Sequence, residues 1–263
     1  MKLKFYKYHG AGNDFVMIDG RKVKFPVTNQ KLVAEICDRR FGIGADGVII
    51  LTKSKSKVHS FGMIYLNSDG SIGSMCGNGG RSIVRFAYDL GIIKKNKLIS
   101  FEAVDGIHEA LIEKNDNVKL RMINMGDVVQ RHGRPFTYCG STPHYMALVD
   151  DIDKYPLVYR ARILRDRVRD TGGINLNIIM KAKDGYRVRT YERGVEDETL
   201  ACGTGACSVA TYLHSKGLTK NNTAKIIMPG GILNVSFTPT RNGYSDVWLT
   251  GPAVKSFEGD IDI

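Results

Sequence analysis

The sequence predicts an α/β fold of the α+β type with two pseudo-symmetric domains, each a mostly antiparallel sheet around a central helix. The first observation is a repeated motif of cysteine, glycine, a polar residue, glycine and a small residue, which begins at Cys76 and again at Cys202. Each copy runs into an apolar segment that ends at Gly91 or Gly217, 15 positions after its cysteine. The surrounding elements also recur in one order, namely strands, a cysteine loop, a helix and a glycine hairpin.

Size and composition are those of a soluble globular protein. The 263 residues suffice for one large domain or two smaller ones. Hydrophobic residues make up 43% of the sequence and charged residues 25%, and no apolar run is long enough to span a membrane. Residues 1–8 alternate lysine with apolar residues, which predicts a strand rather than a signal peptide. We therefore expect a cytoplasmic protein that does not bind membranes.

The chain is basic, with 38 lysines and arginines against 27 acidic residues and a formal net charge of +11. The basic residues are scattered, apart from five arginines between Arg160 and Arg169. We interpret them as a solvated surface, and the arginine run as an exposed helix face, so we expect no nucleic-acid partner. The alternative is a non-catalytic basic binding protein, whose affinity for nucleic acid would depend strongly on salt.

Cysteine and histidine usage predicts neither a disulfide framework nor a metal site. Five cysteines are an odd and sparse set, no two of them form a Cys-x-x-Cys pair, and the six histidines are not clustered. Cys37, Cys139 and Cys207 are interpreted as small buried residues, the usual role of a lone cysteine. Cys207 occupies the position that Arg81 has in the first motif.

In the first half, predicted strands alternate with two helices. One helix covers Gln30 to Arg39, with Thr28 as a possible N-cap. The other follows Cys76 to about Leu90, and its apolar residues cover most of its circumference, so it should be buried on nearly all sides. The glycine-rich turn 9–14 joins two strands, which excludes a dinucleotide-binding fingerprint. The strands are predicted at residues 3–8, 15–19, 48–51, 59–66, 97–104, 107–113 and 118–123.

The second half repeats this plan. Residues 140–144 are predicted as a loop between strands, residues 151–169 as mostly helical, and a buried helix follows Cys202. Strands are predicted at residues 146–149, 174–180, 186–191, 224–228, 232–237 and 244–250. The predicted domains are residues 1–118 and 119–253, and the C-terminal tail 254–263 is expected to return to the first.

A cysteine at a helix N-terminus has the chemistry of a proton-transfer group. Unpaired backbone N–H groups and the positive end of the helix dipole stabilise a thiolate, so we expect the thiol pKa to fall below its usual value. Two such cysteines related by internal duplication predict a cleft with one sulfur on each side. A carbon between Cys76 and Cys202 could lose a proton to one sulfur and gain a proton from the other, which inverts a stereocentre without a cofactor.

The carbanion of such a reaction needs stabilisation because the α-hydrogen of an amino acid is very weakly acidic. Backbone N–H groups at two helix ends, aimed at one carboxylate, supply it in a dry pocket. The two cysteines must also hold opposite protonation states, and they titrate as a pair. Glu192 and His144 are the candidates to bias that pair.

Several motifs of the sequence resemble those of diaminopimelate epimerases, from one end of the chain to the other. They begin at His9, Gly42, Asn67, Met75, Tyr191 and Ala201, and read HGAGNDF, GIGADG, NSDGS, MCGNGGR, YERG and ACGTGA. The resemblance implies the fold of that family and usually a homodimer. It implies a two-base mechanism without pyridoxal phosphate or metal, which interconverts LL- and meso-diaminopimelate for lysine and peptidoglycan-precursor synthesis.

The same resemblance implies roles for individual residues. Going from LL to meso, Cys202 would be the thiolate that accepts the α-proton and Cys76 the thiol that returns one. His144 and Glu192 would tune the pKa values of this pair. The residues implied to bind substrate are Asn13, Gly47, Asn67, Gly77, Asn78, Thr142, Asn175, Glu192, Arg193, Gly203 and Thr204. Among them Arg193 suits a bidentate grip on a carboxylate.

The sequence departs from the family pattern at three places. Some members have glutamine where Gly47 stands, and the usual Gly-Asn-Pro-His reads Ser141-Thr142-Pro143-His144 here. Residues 150–172 also diverge. A second cofactor-independent racemase or epimerase on the same scaffold, of the proline or hydroxyproline type, is therefore the alternative enzyme: it shares the chemistry and differs in the group that holds the distal end of the substrate.

Overall fold

The computed structural model describes residues 2–168, 172–219 and 221–263. The chain divides into two compact units, of which the first contains Met1–Leu120 and Gly251–Ile263 and the second contains Arg121–Thr250. The four helices of the described residues are α1 (Gln30–Cys37), α2 (Gly77–Asp89), α3 (Leu157–Arg167) and α4 (Gly203–Ser215).

Eighteen strands make up the rest of the regular structure in the described residues. Those of the first unit are β1 (Lys2–Gly10), β2 (Asn13–Asp19), β3 (Gly47–Thr52), β4 (Gly62–Asn67), β5 (Ile72–Gly73), β6 (Ile99–Ala103), β7 (Gly106–Ile112), β8 (Val118–Arg121), whose last residue lies across the unit boundary, and β18 (Val254–Asp262). Those of the second are β9 (Val129–Arg131), β10 (Arg134–Cys139), β11 (Thr142–Leu148), β12 (Asn175–Ala182), β13 (Gly185–Glu192), β14 (Asp197–Thr199), β15 (Thr223–Met228), β16 (Gly231–Thr240) and β17 (Gly243–Gly251), which ends one residue past it.

Strand pairing in the two units follows one pattern. In the first unit β1 and β2 are antiparallel, β2 and β3 parallel, and β3 and β4 antiparallel. β4 then pairs antiparallel with β5 and parallel with β6, and β6, β7 and β8 are antiparallel. In the second unit β10, β11, β12, β13, β14, β15, β16 and β17 repeat these relations in the same order. The mixed α+β fold is thus built twice.

Helix α2 is the centre of the first unit. It contacts β1, β2, β3, β7 and β18, so strands from both ends of the pairing order pack against it. Ile83, Val84, Phe86 and Ala87 are fully buried, which confirms the prediction of a helix enclosed on nearly all sides. The Phe86 ring lies 5.0 Å from the ring of Tyr6, centroid to centroid. Apolar burial on this helix therefore stabilises the unit.

Helix α4 has the same place in the second unit. It begins 126 positions after α2, has the same length of 13 residues, and contacts β10, β11, β12, β15 and β16. Both helices end at a glycine with positive φ, Gly91 at 72° and Gly217 at 65°. The N–H group of the residue after each glycine bonds back to the helix, which is the Schellman arrangement.

Several boundaries differ from the predictions. Asn29, not Thr28, caps α1, because its side-chain oxygen accepts a hydrogen bond of 3.1 Å from the Leu32 N–H. Helix α3 begins only at Leu157, since the Asp151 carboxylate holds the preceding residues in a turn by accepting from the N–H groups of Asp153 and Lys154. The predicted loop 140–144 is shorter, because residues 142–144 pair with β10.

The arginine run lies on the outer face of α3, as predicted. Leu157, Ala161 and Leu164 point into the core, whereas Arg160, Arg162 and Arg167 are exposed. Arg169 lies outside the described residues. Within those residues, no helix is long and apolar enough to cross a membrane.

We expect Phe86→Ala to lower the free energy of unfolding by about 3–5 kcal/mol, because it leaves a cavity inside a closely packed core. Tyr159→Ala is the matched control, since Tyr159 is 65% exposed on α3 and should change stability by less than about 0.5 kcal/mol. Urea denaturation of both variants measures the difference. Similar midpoints for the two variants would contradict a structural centre at α2.

Candidate active site

Cysteine residues cap the N-termini of both central helices. The Cys76 sulfur accepts a hydrogen bond of 3.1 Å from the Gly79 N–H, and the Cys202 sulfur accepts one of 3.4 Å from the Gly205 N–H. The Thr204 hydroxyl makes a second contact with the Cys202 sulfur, also at 3.4 Å. Each sulfur therefore lies at the end of a helix where backbone N–H groups converge and negative charge is stabilised.

Glycine at the third position after each cysteine is a steric requirement of this arrangement. A Cβ atom on Gly79 would lie 3.1 Å from the Cys76 sulfur, and one on Gly205 would lie 3.3 Å from the Cys202 sulfur. Such atoms would crowd the sulfur away from the N–H group that binds it. The repeated Cys-Gly-x-Gly pattern thus leaves space for a sulfur, or for an anion, over the first helical turn.

A directional chain of hydrogen bonds runs from Arg81 to Asp46 in the first unit. The buried Arg81 guanidinium donates to the Asn78 side-chain oxygen at 2.9 Å, and the Asn78 amide donates to the Asn13 oxygen at 3.2 Å. The Asn13 amide in turn donates to the Asp46 carboxylate at 2.5 Å. Since every bond donates in one direction, the chain fixes which way both asparagine amides point.

An ion-pair cluster anchors the carboxylate end of that chain. Arg39 donates to Asp46 at 2.6 Å and to Asp14 at 2.7 Å, and the largely buried Lys7 pairs with Asp14 at 2.7 Å. Burial opposes the charge on Asp14, but its hydrogen bonds and ion pairs with Arg39 and Lys7 outweigh burial and lower the pKa of the carboxyl to about 2. The Asp14 carboxylate therefore stays ionised at neutral pH.

Tyr65 occupies the space beside Gly47 and was not singled out in the sequence. A Cβ atom on Gly47 would lie 2.6 Å from the Tyr65 ring, 3.3 Å from its hydroxyl and 2.5 Å from the Leu66 carbonyl oxygen. A side chain at position 47 is thus excluded while this ring is in place. Asn67 lies across the β3–β4 ladder from Gly47. The polar atoms at this point of the unit come from Tyr65 and Asn67, and no sequence motif marks the tyrosine.

In the second unit, Asn175 holds the backbone that carries Arg193. Its side-chain amide donates to the Pro143 carbonyl at 2.9 Å, and its oxygen accepts from the Arg193 N–H at 2.9 Å. Because Asn175 is 1% exposed, these bonds define its orientation. The structure therefore shows it positioning Arg193, and its predicted contact with substrate stays a prediction.

The thiol of Cys202 does not have the lowered pKa that a helix end alone predicts. Burial, and after it the charge of the Glu192 carboxylate, raise the pKa of Cys202 well above its usual value. The hydrogen bonds from Thr204 and Gly205 lower it but do not compensate. The reason is that Cys202 is 3% exposed, so a thiolate there loses nearly all of its hydration. Glu192, which accepts a bond of 2.9 Å from Thr199, is thus placed to tune Cys202.

His144 is a neutral imidazole in this structure. Burial, and after it the positive charge of Arg193, lower the pKa of His144 to about 3. The imidazole is 0% exposed. The imidazole therefore acts on its surroundings as a polar neutral group and not as a cation. The effect on the cysteine pKa values that the sequence predicts for His144 would then not involve a positive charge.

The predicted site residues occupy equivalent positions in the two units. Asn13 begins β2 and Thr142 begins β11. Asn13 pairs with Gly10 and Thr142 pairs with Cys139, so three positions separate the paired residues in both units. Gly47 begins β3 and Asn175 begins β12. Gly47 pairs with the residue two positions after Asn13, and Asn175 pairs with the residue two positions after Thr142. Asn67 and Glu192 end β4 and β13. Each unit thus gathers such a set at the strand ends nearest its cysteine-capped helix.

The remaining cysteines are buried free thiols. Cys37, Cys139 and Cys207 have little or no exposed surface. Burial raises the pKa of Cys37 to about 11 and that of Cys139 to about 12, so both stay protonated. In the described part of the chain, no group of three or more histidine, cysteine, aspartate or glutamate side chains could hold a metal ion.

Comparison with known proteins relates the chain to one family. Residues 5–130 and 136–256 match the family model described as diaminopimelate epimerase. A diaminopimelate epimerase from Flavobacterium psychrophilum is 43% identical over 261 residues, which cover 98% of this chain and 100% of that protein. One from Aquifex aeolicus is 35% identical and covers 98% of both chains. One from Methanocella arvoryzae is 37% identical, with 100% of this chain and 98% of that protein covered.

Solved structures share the fold at much lower identity. A phenazine biosynthesis protein of the PhzF family from Bacillus anthracis superposes with a TM-score of 0.76 at 14% identity, with 100% of each chain covered. A hydroxyproline epimerase from Agrobacterium vitis superposes with a TM-score of 0.69 at 14% identity, with 99% of this chain and 92% of that chain covered. These likenesses identify the architecture.

We expect Glu192→Gln to lower the pKa of the Cys202 thiol, because it removes the negative charge that disfavours the thiolate. The pKa should still lie above the usual value, since burial is unchanged. Iodoacetamide alkylation of Cys202, followed against pH by peptide mass spectrometry, measures the shift, with the midpoint moving to lower pH. Glu198→Gln is the control, because Glu198 is paired with Arg189. An unmoved or higher midpoint in Glu192→Gln would refute the assignment.

Proposed function

The chain belongs to the diaminopimelate epimerase family, and we propose that Cys76 and Cys202 carry out its reaction, the interconversion of LL- and meso-diaminopimelate. The protein is an isomerase of amino-acid biosynthesis. The observation that supports these two residues is that each caps the first turn of a central helix through its sulfur. Two equivalent acid–base groups are what inversion by removal and return of a proton requires.

The proposed reaction is a proton exchange at the α-carbon. From LL to meso, the Cys202 thiolate accepts the α-proton and the Cys76 thiol supplies a proton to the opposite face, and the roles reverse in the other direction. The raised pKa of Cys202 makes the thiol its form in the substrate-free protein. That form suits the reaction from meso to LL, in which Cys202 is the donor. From LL, the helix-end N–H groups and the Thr204 hydroxyl are the groups that stabilise its thiolate.

We propose that the first turns of α2 and α4 bind the reacting carboxylate. Gly77 and Asn78 would supply N–H groups in the first unit, and Gly203 and Thr204 in the second. Negative charge that develops on this carboxylate as the α-proton leaves is stabilised by N–H groups already in place. The directional chain from Arg81 supports this role, because it holds the Asn78 side chain beside the helix end before substrate arrives.

The rest of the substrate needs contacts of both signs. We propose that Arg193 binds the distal carboxylate, that Glu192 binds an ammonium group as well as tuning Cys202, and that Asn13, Asn67, Thr142 and Asn175 complete the polar surface. At Gly47, whose side-chain space is filled, we propose that the Tyr65 hydroxyl supplies the polar contact. This proposal requires the two compact units, as the two epimerase domains, to bring both sulfurs to one stereocentre.

We further propose a cytoplasmic homodimer with neither nucleic acid nor membrane as a partner. The exposed arginines of α3 are distributed on a helix face that has its own acidic neighbours, for example Asp166 beside Arg165. Light scattering gives the mass of the protein in solution, and a monomer that is fully active would refute the dimer.

We expect Cys76→Ala and Cys202→Ala each to abolish epimerisation while the fold is kept. Cys207→Ala, a buried cysteine in α4, is the matched control and should stay active. The assay follows the entry of deuterium from deuterated water into the α-position of diaminopimelate. Full activity in either active-site variant, with unchanged circular dichroism in all three, would refute the mechanism.

The same exchange assay separates the related alternative, an epimerase of the proline type. Incubation with diaminopimelate, proline and hydroxyproline in parallel should give label in diaminopimelate only. Label in proline and none in diaminopimelate would show that the distal contacts assigned to Arg193 and Glu192 are wrong.

We expect Tyr65→Phe to lower kcat/KM a few-fold to about tenfold, because it removes one hydrogen-bonding hydroxyl and leaves the ring that fills the space. The exposed Tyr159 gives the control substitution Tyr159→Phe, which should have wild-type activity. Steady-state kinetics with LL-diaminopimelate measures both. Equal kcat/KM values for the two variants would remove Tyr65 from the site.

A further inference from the structure

Behind the Cys202 cap, a buried asparagine holds the imidazole of His144. The Asn177 side-chain nitrogen lies 3.2 Å from His144 Nδ1 and 3.1 Å from the Tyr145 carbonyl oxygen. The Asn177 oxygen accepts a bond of 2.9 Å from the Thr190 hydroxyl. Both Asn177 and His144 are 0% exposed. Asn177 is therefore bonded on both sides and cannot rotate without breaking buried hydrogen bonds.

These contacts determine the tautomer of His144. The Tyr145 carbonyl can only accept, so the group of Asn177 that faces it is the NH₂ group. The same NH₂ group faces His144 Nδ1, which must therefore be an unprotonated acceptor. A neutral imidazole with a bare Nδ1 carries its proton on Nε2. His144 consequently presents an N–H donor at Nε2.

The Nε2–H group of His144 is unpaired among the described residues. Nε2 of His144 is buried and has no hydrogen-bond partner among the described residues. An unpaired buried donor destabilises a folded protein, and a ligand that accepts from it is one explanation for its retention.

Asn177, which holds this imidazole, lies next to the Cys202 cap. A Cβ atom on Gly205 would lie 2.7 Å from the Asn177 oxygen and 3.3 Å from the Cys202 sulfur, so Asn177 packs directly beneath the cap of α4.

The first unit shows that the fold does not require this polar pair. In the repeated strand pattern, His144 corresponds to Phe15, since His144 pairs with Asn175 and Phe15 with Gly47. Asn177 and Ile49 also correspond, since they lie two positions after Asn175 and Gly47. Ile49 packs against Gly79 in the same way that Asn177 packs against Gly205. Phe15 and Ile49 are fully buried. One unit thus fills these core positions with two hydrocarbons, and the other fills them with a hydrogen-bonded amide and imidazole.

We propose that Asn177 is a positioning residue, which holds His144 as its Nε2–H tautomer so that His144 donates a hydrogen bond to an anionic acceptor at the Cys202 end of the active site. The acceptor is the Cys202 thiolate or a carboxylate oxygen of the substrate, and this rests on the proposed function. In this arrangement His144 does not remove a proton. It stabilises negative charge that forms when a proton moves.

Nitrogen NMR of protein labelled with ¹⁵N-histidine tests the tautomer in the wild-type chain. The signals of His144 are assigned by their absence from His144→Gln. Correlations between ring nitrogens and carbon-bound protons should show protonation at Nε2 and a bare Nδ1. A proton on Nδ1 overturns the proposal, and this measurement does not depend on activity.

Asn177→Asp tests the positioning role with almost no change in shape. Its carboxylate accepts from Nδ1–H, so the proton of His144 should move from Nε2 to Nδ1, and kcat/KM should fall about tenfold to a hundredfold. Thr190→Val is the matched control, since it removes the partner of the Asn177 oxygen and leaves the amide nitrogen facing His144. It should keep the Nε2–H tautomer. Asn177→Asp with unchanged tautomer or unchanged kcat/KM would overturn the role of Asn177.

Two further NMR experiments identify the acceptor. Binding of meso-diaminopimelate to Cys202→Ala should shift the Nε2–H signal if the substrate carboxylate accepts. Raising the pH of the substrate-free wild-type protein should shift it if the Cys202 thiolate accepts. No shift in either experiment would show that Nε2–H has no anionic acceptor and would refute that part of the proposal. A failed epimerase assay with a confirmed tautomer would refute the proposed function instead.

Discussion

The hydrogen bond from a backbone N–H group to a cysteine sulfur at a helix N-terminus is the interaction on which the site depends. It requires three features at once: a cysteine with extended backbone just before the helix, a glycine three positions later, and a helix that cannot shift. Cys76 and Cys202 have φ values of −101° and −125°, outside the helical range. Because α2 and α4 are enclosed by strands, neither helix end can move without disturbing a core.

The strand pattern brings the other polar groups to these helix ends. Parallel pairing of β2 with β3, and of β11 with β12, places the starts of neighbouring strands side by side. Antiparallel pairing with β4 and β13 adds the end of a third strand. The fold therefore supplies the location, and substitutions at fixed positions supply the chemistry.

Features encoded in local sequence could be predicted, and features that arise from burial could not. The Cys-Gly-x-Gly pattern predicted where α2 and α4 begin, and the glycine 15 positions after each cysteine predicted where they end. Both predictions succeeded because capping and C-terminal signals act over a few residues. The prediction of Thr28 as the N-cap of α1 was wrong, since Asn29 beside it is an equally good cap and the tertiary structure decides between them. The pKa of Cys202 was predicted in the wrong direction, because the helix end is visible in sequence while the loss of hydration is not.

Two residues with proposed roles at the site were also missed. Tyr65 and Asn177 lie in the middle of β4 and β12, where a polar or aromatic residue reads as one more strand position. Only the structure shows that Tyr65 fills the space beside Gly47 and that Asn177 contacts His144. Pairwise tertiary contacts of this kind have no periodicity, so no pattern along a single sequence indicates them.

The two units have kept one backbone plan and have diverged in the groups that act on their cysteines. The helix position occupied by the buried Arg81 in the first unit is occupied by Cys207 in the second, and the neighbouring core pair changes from Phe15 and Ile49 to His144 and Asn177. The strand end occupied by Asn67 carries the charged Glu192 instead. A reaction that needs a donor and an acceptor at one moment cannot use two identical sites, because equal environments would favour equal protonation. In the proposed mechanism, divergence around a preserved cap satisfies that requirement, because the shared backbone places each sulfur and the differing neighbours let one sulfur hold a proton while the other gives its proton up.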